Sequence, residues 1–451
     1  MQDSFLVFLP FSFVAAMLLA GVVLRRYVPF FQKFLVPSSI IGGLLGFVLI
    51  NSFDIGLKPE MFTMITFQFF NLSFISLGLT GVDGEKNSSK VVLRGSLWMF
   101  ILTTLLLCGQ GAVGFGVWEL VDLITGSESA AGYGLLLAHG FTQGPGQALA
   151  VGGVWQNNFN IPDALGIALT FSAIGFLVAS FVGVPLAMWG LKKGAATYQS
   201  EDRNEHYYVG IKPVGERESC GSDTVFSGNL DTFSLHLALI AVTYAINYGL
   251  CLILTKIFAG TVIGDMIFGL FFVWGMFTAM GVRKVLDFCK ASVVLDNNVQ
   301  RHFTGIFVDF LITGTLCSIA ISIVIKYFAQ LAVVCLVGTL FTLFVSVYFG
   351  RRLNEYGLER LLVIFGSGTG TIPSGLALLR IVDQEFQTSA AFESGAQQLL
   401  LSVTCTLVMG MVAGYPGTGL AAWHVALIEL GIAVACVLAL KVLKLWQKPV
   451  F

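Results

Sequence analysis

Two short runs of glycine, hydroxyl and amide residues interrupt apolar stretches of this 451-residue sequence. The run GSGTGTIPSG, at residues 366–375, places the hydroxyls of Ser367, Thr369, Thr371 and Ser374 among four glycines and a proline. Hydroxyl oxygens and freed backbone carbonyls suit a monovalent cation, and the amides at the start of a half-helix suit a carboxylate. The run therefore predicts a binding site for a small anion and a cation.

A second run, HGFTQGPGQA at residues 139–148, offers a similar set of groups. Its candidate substrate-binding residues are a hydroxyl, two amides and two glycines, namely Thr142, Gln143, Gly144, Gly146 and Gln147. Irregular backbone at membrane depth is tolerated only where protein or a watery cavity surrounds it. The alternative is a pair of tight turns between interfacial helices, in which the glycines serve packing alone.

Further polar residues lie inside apolar runs, where they are expensive and usually functional. Asp309 is a candidate cation ligand, proton carrier or charge partner, and Asn71 offers an amide oxygen or a hydrogen bond between helices. We predict Asp309, Asn71, Ser76 and Thr369 as Na+ ligands. Arg380 is a candidate partner for a substrate carboxylate; alternatively it extends to the membrane surface or pairs with a nearby acid.

The composition predicts a polytopic membrane protein, because 56% of the residues are apolar and only 11% are charged. The eight cysteines are scattered singly, which indicates small buried residues rather than disulfides or metal ligands. A membrane-spanning helix needs about 20 apolar residues. Runs of this kind lie at 5–24, 36–53, 61–80, 96–118, 163–190, 233–256, 262–280, 303–325, 330–349, 396–413 and 423–446.

The Lys and Arg residues gather on one side if the N-terminus lies outside and the C-terminus in the cytoplasm. This agreement requires that the two interrupted regions do not cross the membrane. Region 130–156 then enters from outside and region 361–382 from the cytoplasm. Each is a predicted re-entrant helical hairpin.

The order of the predicted spans indicates an internal duplication. A polar stretch at 192–231 reads as a cytoplasmic linker, and each side of it holds four spans, an interrupted region and one more span. Five crossings are an odd number, so the second unit must be inverted relative to the first. We predict an all-α polytopic membrane protein with inverted repeats at 1–191 and 232–415, each of five transmembrane helices and a hairpin, plus an additional C-terminal helix at 416–451.

Three stretches resemble the bacterial sodium/glutamate symporter family: FFQKFLVPSSIIGGLLG (30–46), GVRKVLDF (281–288) and GSGTGTIPSGLA (366–377). The resemblance extends over most of the chain. It implies inverted five-helix units with re-entrant hairpins, a homodimer, and uptake of glutamate coupled to inward movement of Na+. It also implies hairpin tips at Gly366, Gly368, Gly370 and Pro373 and at Gly144 and Gly146. The run TQGPGQA, Arg380 and the last span depart from the family pattern.

These observations predict a secondary transporter of the bacterial inner membrane. Its predicted cargo is a small organic anion, in the first place glutamate or a related acidic amino acid. The anion moves with Na+ by elevator-like alternating access. The alternatives are a Na+/H+ exchanger, a Na+-coupled transporter of another carboxylate, and a channel. An enzyme is not expected, because the sequence has no H-E-x-x-H, no G-x-S-x-G and no nucleotide-binding loop. We expect no cofactor other than Na+ as coupling ion and no nucleic-acid partner.

Overall fold

The regular structure of the chain is helical. The computed structural model describes residues 2–80, 89–198, 209–216, 219–261, 264, 267–353, 355–384 and 387–450, and within these ranges it contains no strand. The all-α prediction is therefore confirmed for the described residues. The predicted linker at 192–231 is described only in part, since residues 199–208 and 217–218 lie outside these ranges.

The helices fall on either side of that linker. Before it lie α1 (Gln2–Tyr27), α2 (Pro29–Lys33), α3 (Ser38–Ser52), α4 (Pro59–Leu79), α5 (Ser89–Thr125), α6 (Leu136–Phe141), α7 (Pro145–Asn158), α8 (Ala164–Phe181) and α9 (Gly183–Lys192). After it lie α10 (Thr232–Ile257), α11 (Phe271–Phe288), α12 (Asn297–Cys317), α13 (Ile321–Lys326), α14 (Phe328–Gly350), α15 (Gly357–Thr369), α16 (Ile372–Val382), α17 (Ala390–Gly414) and α18 (Ala422–Val442). Short 3-10 turns lie at Tyr133–Leu135, Val214–Glu216, Ser292–Val294 and Tyr415–Gly417.

Eight stretches within the described residues are long and apolar enough to cross a membrane. They lie in α1, α4, α5, α8 with α9, α10, α14, α17 and α18. The other three predicted spans coincide with helices that miss these criteria. Helix α3 has only 15 residues, α11 carries three charged residues, Arg283, Lys284 and Asp287, and α12 begins with the polar run NNVQRH, which lowers its mean hydropathy.

The predicted spans differ from the observed helices at their ends, and α12 shows a local cause. The predicted span 303–325 corresponds to α12, which begins earlier because the Asp296 side chain accepts hydrogen bonds from the backbone amides of Asn298 and Val299. It ends at Cys317, and the short helix α13 follows. The predicted start of the span 262–280 lies outside the described residues, which omit 262, 263, 265 and 266; the next described helix, α11, begins at Phe271.

Helices from the two halves of the chain pack against each other. Helix α4 packs along α12, where the Phe69 ring lies 5.0 Å from the Phe310 ring and 5.9 Å from the Phe307 ring. Helix α5 packs along α14 and also contacts α17 and α18. Small residues permit such close approaches between membrane helices. At Gly21 and Gly42, for example, α1 and α3 approach so closely that a side chain would collide with the opposite backbone.

Candidate functional site

Two helix pairs are broken at the positions that the sequence predicts as hairpin tips. The first break separates α6 from α7 at Thr142–Gly144, and the second separates α15 from α16 at Gly370–Thr371. The helix that follows each break has a proline in its first turn, Pro145 in α7 and Pro373 in α16. Proline is favoured there because the amide that it lacks has no partner within the helix. The arms of the second pair pack tightly, with Gly366 against Gly375.

The two breaks are in direct contact. Gly144 has a φ of +75°, a left-handed conformation that favours glycine. A Cβ atom at Gly144 would lie 2.7 Å from Thr371 Cγ2 and 3.2 Å from the Gly370 carbonyl oxygen. Both the conformation and the space therefore require glycine. The structure thus brings together residues that are more than 200 positions apart in the sequence.

A glutamine from α5 connects the two breaks by hydrogen bonds. The Gln110 Nε2 group donates to the Gly368 carbonyl at 2.7 Å and to Thr342 Oγ1 of α14 at 2.7 Å. Its Oε1 atom accepts from Thr142 Oγ1 at 2.7 Å. The Thr142 hydroxyl also lies 3.3 Å from the Gly368 carbonyl. One buried amide therefore contacts both breaks and α14.

The hydroxyls of the second break differ in their partners. Ser367 and Thr369 bond to carbonyls of their own helix, at 3.3 Å from Ile364 and 2.9 Å from Phe365. The Thr371 hydroxyl is buried and has no partner among the described residues. Ser374 lies one turn after the break, close to Gly370. Of these four hydroxyls, that of Thr371 is the one buried without a partner among the described residues.

The amides of the first break face a small cavity. Gln143 and Gln147 border a cavity of about 30 Å³ together with residues of α11 and α17. The Gln147 side chain contacts Cys405 Sγ at 3.1 Å, and Gln143 Nε2 has no partner among the described residues. A cavity needs roughly 10–15 Å³ to hold one water molecule. This cavity can hold a water molecule or an ion, and it is too small for an amino acid.

Helix α4 contributes an aromatic ring beside the first break, and the residue after it is a buried amide. The Phe70 ring lies directly against the backbone at Gly146, so that any side chain there would collide with it. The same ring packs 4.7 Å from the Phe272 ring. The next residue, Asn71, is fully buried, and neither polar atom of its side chain has a partner among the described residues. An unpaired buried amide is costly, and a bound ion or water would satisfy it.

The other predicted cation ligands lie elsewhere. The Ser76 hydroxyl bonds to the Gln300 carbonyl at 3.0 Å and accepts from Thr304 Oγ1 at 2.9 Å, on α12. Asp309 is exposed on α12, with Ser39 of α3 beside its carboxyl group. No described contact joins Ser76 or Asp309 to either break.

Arg380 lies in the last turn of α16 and is exposed. It follows Thr371 by nine residues. At 1.5 Å per residue, this separation along the helix is about 14 Å. The structure therefore places Arg380 at the C-terminal end of α16, away from the second break.

Sequence reasoning missed Gln110, Thr342 and Phe70. Gln110 carried a readable signal, because it is an uncharged polar residue within the predicted span 96–118 and lies between Gly109 and Gly111. The same criterion drew attention to Asp309. Thr342 and Phe70 carry no such signal, since a lone threonine or phenylalanine is common in membrane helices.

A comparison with protein families supplies independent information about the chain. The family model described as "sodium/glutamate symporter" matches residues 8–388. The match includes both breaks and Gln110, whereas α17 and α18 lie beyond it. A comparison with curated proteins finds no match.

Proposed function

Because the chain belongs to the sodium/glutamate symporter family, we propose that it couples entry of Na+ to uptake of glutamate or a related small organic anion. The family is one of transporters rather than enzymes, and the apolar helices fit a multi-pass membrane protein. Na+ is the coupling ion that the family implies. The carboxylate would be a cargo rather than a reactant.

The observation that carries this proposal is the contact between the two breaks. Gly144 touches Gly370 and Thr371, and α7 and α16 both begin at this contact. The start of a helix favours a carboxylate because its free amides and the helix dipole are positive. The unpaired Thr371 hydroxyl and Asn71 amide offer oxygen atoms to Na+. We therefore place anion and cation at the meeting point, with the predicted hairpin residues as its wall.

The pairing of helices supports the proposed inverted repeats at 1–191 and 232–415. In that division the third and fourth spans are α4 and α5 in the first unit and α12 and α14 in the second. The two third spans pack together, as do the two fourth spans. Helix α8 contacts the second broken pair, and α17 contacts the first. Each contact that a span of one unit makes with the other unit thus has a counterpart with the units interchanged, as a twofold relation between inverted units requires.

The proposed mechanism is alternating access, in which the broken helix pairs enter the membrane from opposite faces and carry the site between them. We place the protein in a bacterial inner membrane as a homodimer, with the N-terminus outside and the C-terminus in the cytoplasm. The Lys/Arg distribution supports this orientation. The linker 192–231 would then join the two units on the cytoplasmic side.

Reconstitution into liposomes tests the proposal. We expect glutamate uptake that depends on an inward Na+ gradient and not on a proton gradient. A panel of amino acids and dicarboxylic acids identifies the cargo, and preference for a carboxylate without an amino group would favour a different organic anion. Cation flux without any organic solute would indicate an exchanger. Absence of Na+-driven uptake across the panel would reject the proposal.

A matched pair of variants tests the location of the site. Thr371→Val removes a hydroxyl that has no partner, and it should weaken the apparent affinity for Na+ or glutamate while leaving stability nearly unchanged. Thr255→Val is the control, because the one described bond of the Thr255 hydroxyl is to Cys251 of its own helix, at 2.8 Å. Equal transport by both variants would place the site elsewhere.

A further inference from the structure

A second cavity, open to the surface, lies where α5 begins, whereas Gln110 lies near the middle of that helix. It has a volume of about 710 Å³ and lies between the first turns of α5 and the end of α18. Four cationic side chains line it, namely Lys90, Arg94, Lys441 and Lys444, and none of its lining residues is an aspartate or a glutamate. A smaller cavity of about 190 Å³ shares Lys90 and Arg94 and adds Arg360 and Glu355.

The wall of this cavity is held in place by the chain after α18. Arg94 donates to the Lys444 carbonyl at 2.7 Å. The backbone N–H of Gln447 donates to the backbone carbonyl of Arg352 at 3.2 Å. The Trp446 ring packs near the Tyr348 and Phe349 rings at the end of α14. The C-terminal residues are therefore anchored, and the cationic groups occupy defined positions around the cavity.

No acid among the described residues pairs with these four cations; Glu355 lines the adjoining smaller cavity, and residues 81–88, just before α5, lie outside the described ranges. No ion pair is described for Lys90, Arg94, Lys441 or Lys444. The one described bond of the Arg94 side chain uses a single Nη2 group, so the rest of its guanidinium can face the cavity. Like charges that share a concave surface repel each other, and an anion between them would offset this repulsion. The cavity therefore favours a ligand with a concentrated negative charge.

Apolar side chains beside the cations indicate that the ligand also has an apolar part. Leu93 is 69% exposed, and Leu443 is 48% exposed. Leu97 and Trp446 line the same cavity. By length and composition, the candidate membrane-spanning stretch of α5 begins at Lys90 and that of α18 ends at Val442, so the four cations lie at or near the ends of these stretches. Tryptophan and basic residues are typical of the boundary between membrane and water.

We propose that this cavity binds the headgroup phosphate of an anionic phospholipid, whose acyl chains lie against Leu93, Leu97 and Leu443. The phosphate would bridge the start of α5 to the end of α18, and so tie the C-terminal helix to the body of the protein. Basic pockets between membrane helices recognise anionic lipids through the same combination of charge and apolar surface. Helix α18 lies beyond the family match, whereas the start of α5 lies within it.

The test uses the full-length protein in detergent, with phosphatidylglycerol, phosphatidylcholine or inorganic phosphate added. We expect phosphatidylglycerol to raise the melting temperature and to remain bound in native mass spectrometry. The triple variant Lys90→Gln/Lys441→Gln/Lys444→Gln should bind phosphatidylglycerol at least about tenfold more weakly, since each basic residue near a lipid headgroup contributes to the attraction. Arg94 is kept because it bonds to the Lys444 carbonyl.

The control variant Lys33→Gln/Lys192→Gln/Lys193→Gln makes the same change in charge at helix ends away from the cavity. It should bind phosphatidylglycerol as the unaltered protein does. Equal binding by the two triple variants would overturn the proposal, as would equal stabilisation by phosphatidylcholine. Equal stabilisation by inorganic phosphate would overturn the assignment to a lipid. If the cavity variant does not fold, the single variant Lys441→Gln and the lipid comparison on the unaltered protein decide the question.

Discussion

Replacing Gln110 with leucine would remove the hydrogen bonds that connect α5 to both breaks. The side chain makes three such bonds, to Gly368, Thr342 and Thr142. Each net hydrogen bond contributes about 1 kcal/mol, so the loss is at most about 3 kcal/mol. Two partners retain a bond, because Thr342 still donates to the Gly338 carbonyl at 2.7 Å and Thr142 lies 3.3 Å from the Gly368 carbonyl.

We therefore expect Gln110→Leu to lower the free energy of unfolding by about 2 kcal/mol. The bonds to Gly368 and Thr142 together join the two broken pairs through α5, so their loss also disfavours that arrangement. A difference of about 2 kcal/mol shifts a two-state equilibrium roughly 30-fold. If the meeting of the breaks is a step of transport, uptake should fall at least about tenfold at unchanged protein level.

The two effects are measured separately, stability by unfolding in mixed detergent micelles and transport by Na+-driven uptake into liposomes. Gln397→Leu is the control, because Gln397 is 1% exposed and accepts one described hydrogen bond, from Thr103 Oγ1 at 3.2 Å. It should lose about 1 kcal/mol of stability and keep its transport rate. Uptake by Gln110→Leu at the rate of the unaltered protein would refute the reasoning that the contact between the breaks is part of transport.

Three further substitutions test the packing of the site and its surroundings. Gly144→Ala should destabilise the protein by about 2–4 kcal/mol, because alanine disfavours the positive φ at this position and its Cβ would collide with Thr371. Thr371→Ser should restore part of that stability, and effects of the two substitutions that simply add in thermal unfolding would contradict the contact. The buried Arg360 guanidinium bonds to both Glu393 oxygens, at 2.7 and 2.6 Å. Glu393→Gln removes this counter-charge and should lower the free energy of unfolding by about 3–5 kcal/mol. A melting temperature near that of the unaltered protein would argue against a buried ion pair. Both carboxyl oxygens of Glu429 are buried without a described partner, so Glu429→Leu should leave the stability equal or higher. A marked loss of stability would contradict this expectation, because it would require an interaction of Glu429 beyond the described contacts.

Local sequence features account for the helices and for their interruptions. The start of α10 at Thr232, after the capping residue Asp231, agrees with the predicted start at 233. Both breaks fall inside the predicted interrupted regions, because glycine and proline act on the backbone at their own positions. The start of α12 differs from prediction, since an apolar run marks where lipid or protein must lie and not where a cap begins the helix.

Local sequence features do not predict which residues the buried polar side chains contact. Asn71 and Asp309 carry the same signal, a polar group inside an apolar run, yet Asn71 is buried beside the first break and Asp309 is exposed on α12. The direction in which a residue faces depends on how its helix is rotated against its neighbours. That rotation is set by packing with distant helices and not by the residues next to it in the chain.

The sequence by itself determined that this chain is helical and apolar, that two glycine-rich breaks interrupt it, and that it resembles a transporter family, because these properties depend on composition and on near neighbours. Only the tertiary structure decided that the breaks touch at Gly144 and Thr371 and that Gln110 joins them. Gln110 precedes Thr142 by 32 residues and Gly368 by 258 residues. A hydrogen bond over such separations exists only after the helices have assembled, since it is the packing of α5 against both broken pairs that brings donor and acceptor within reach.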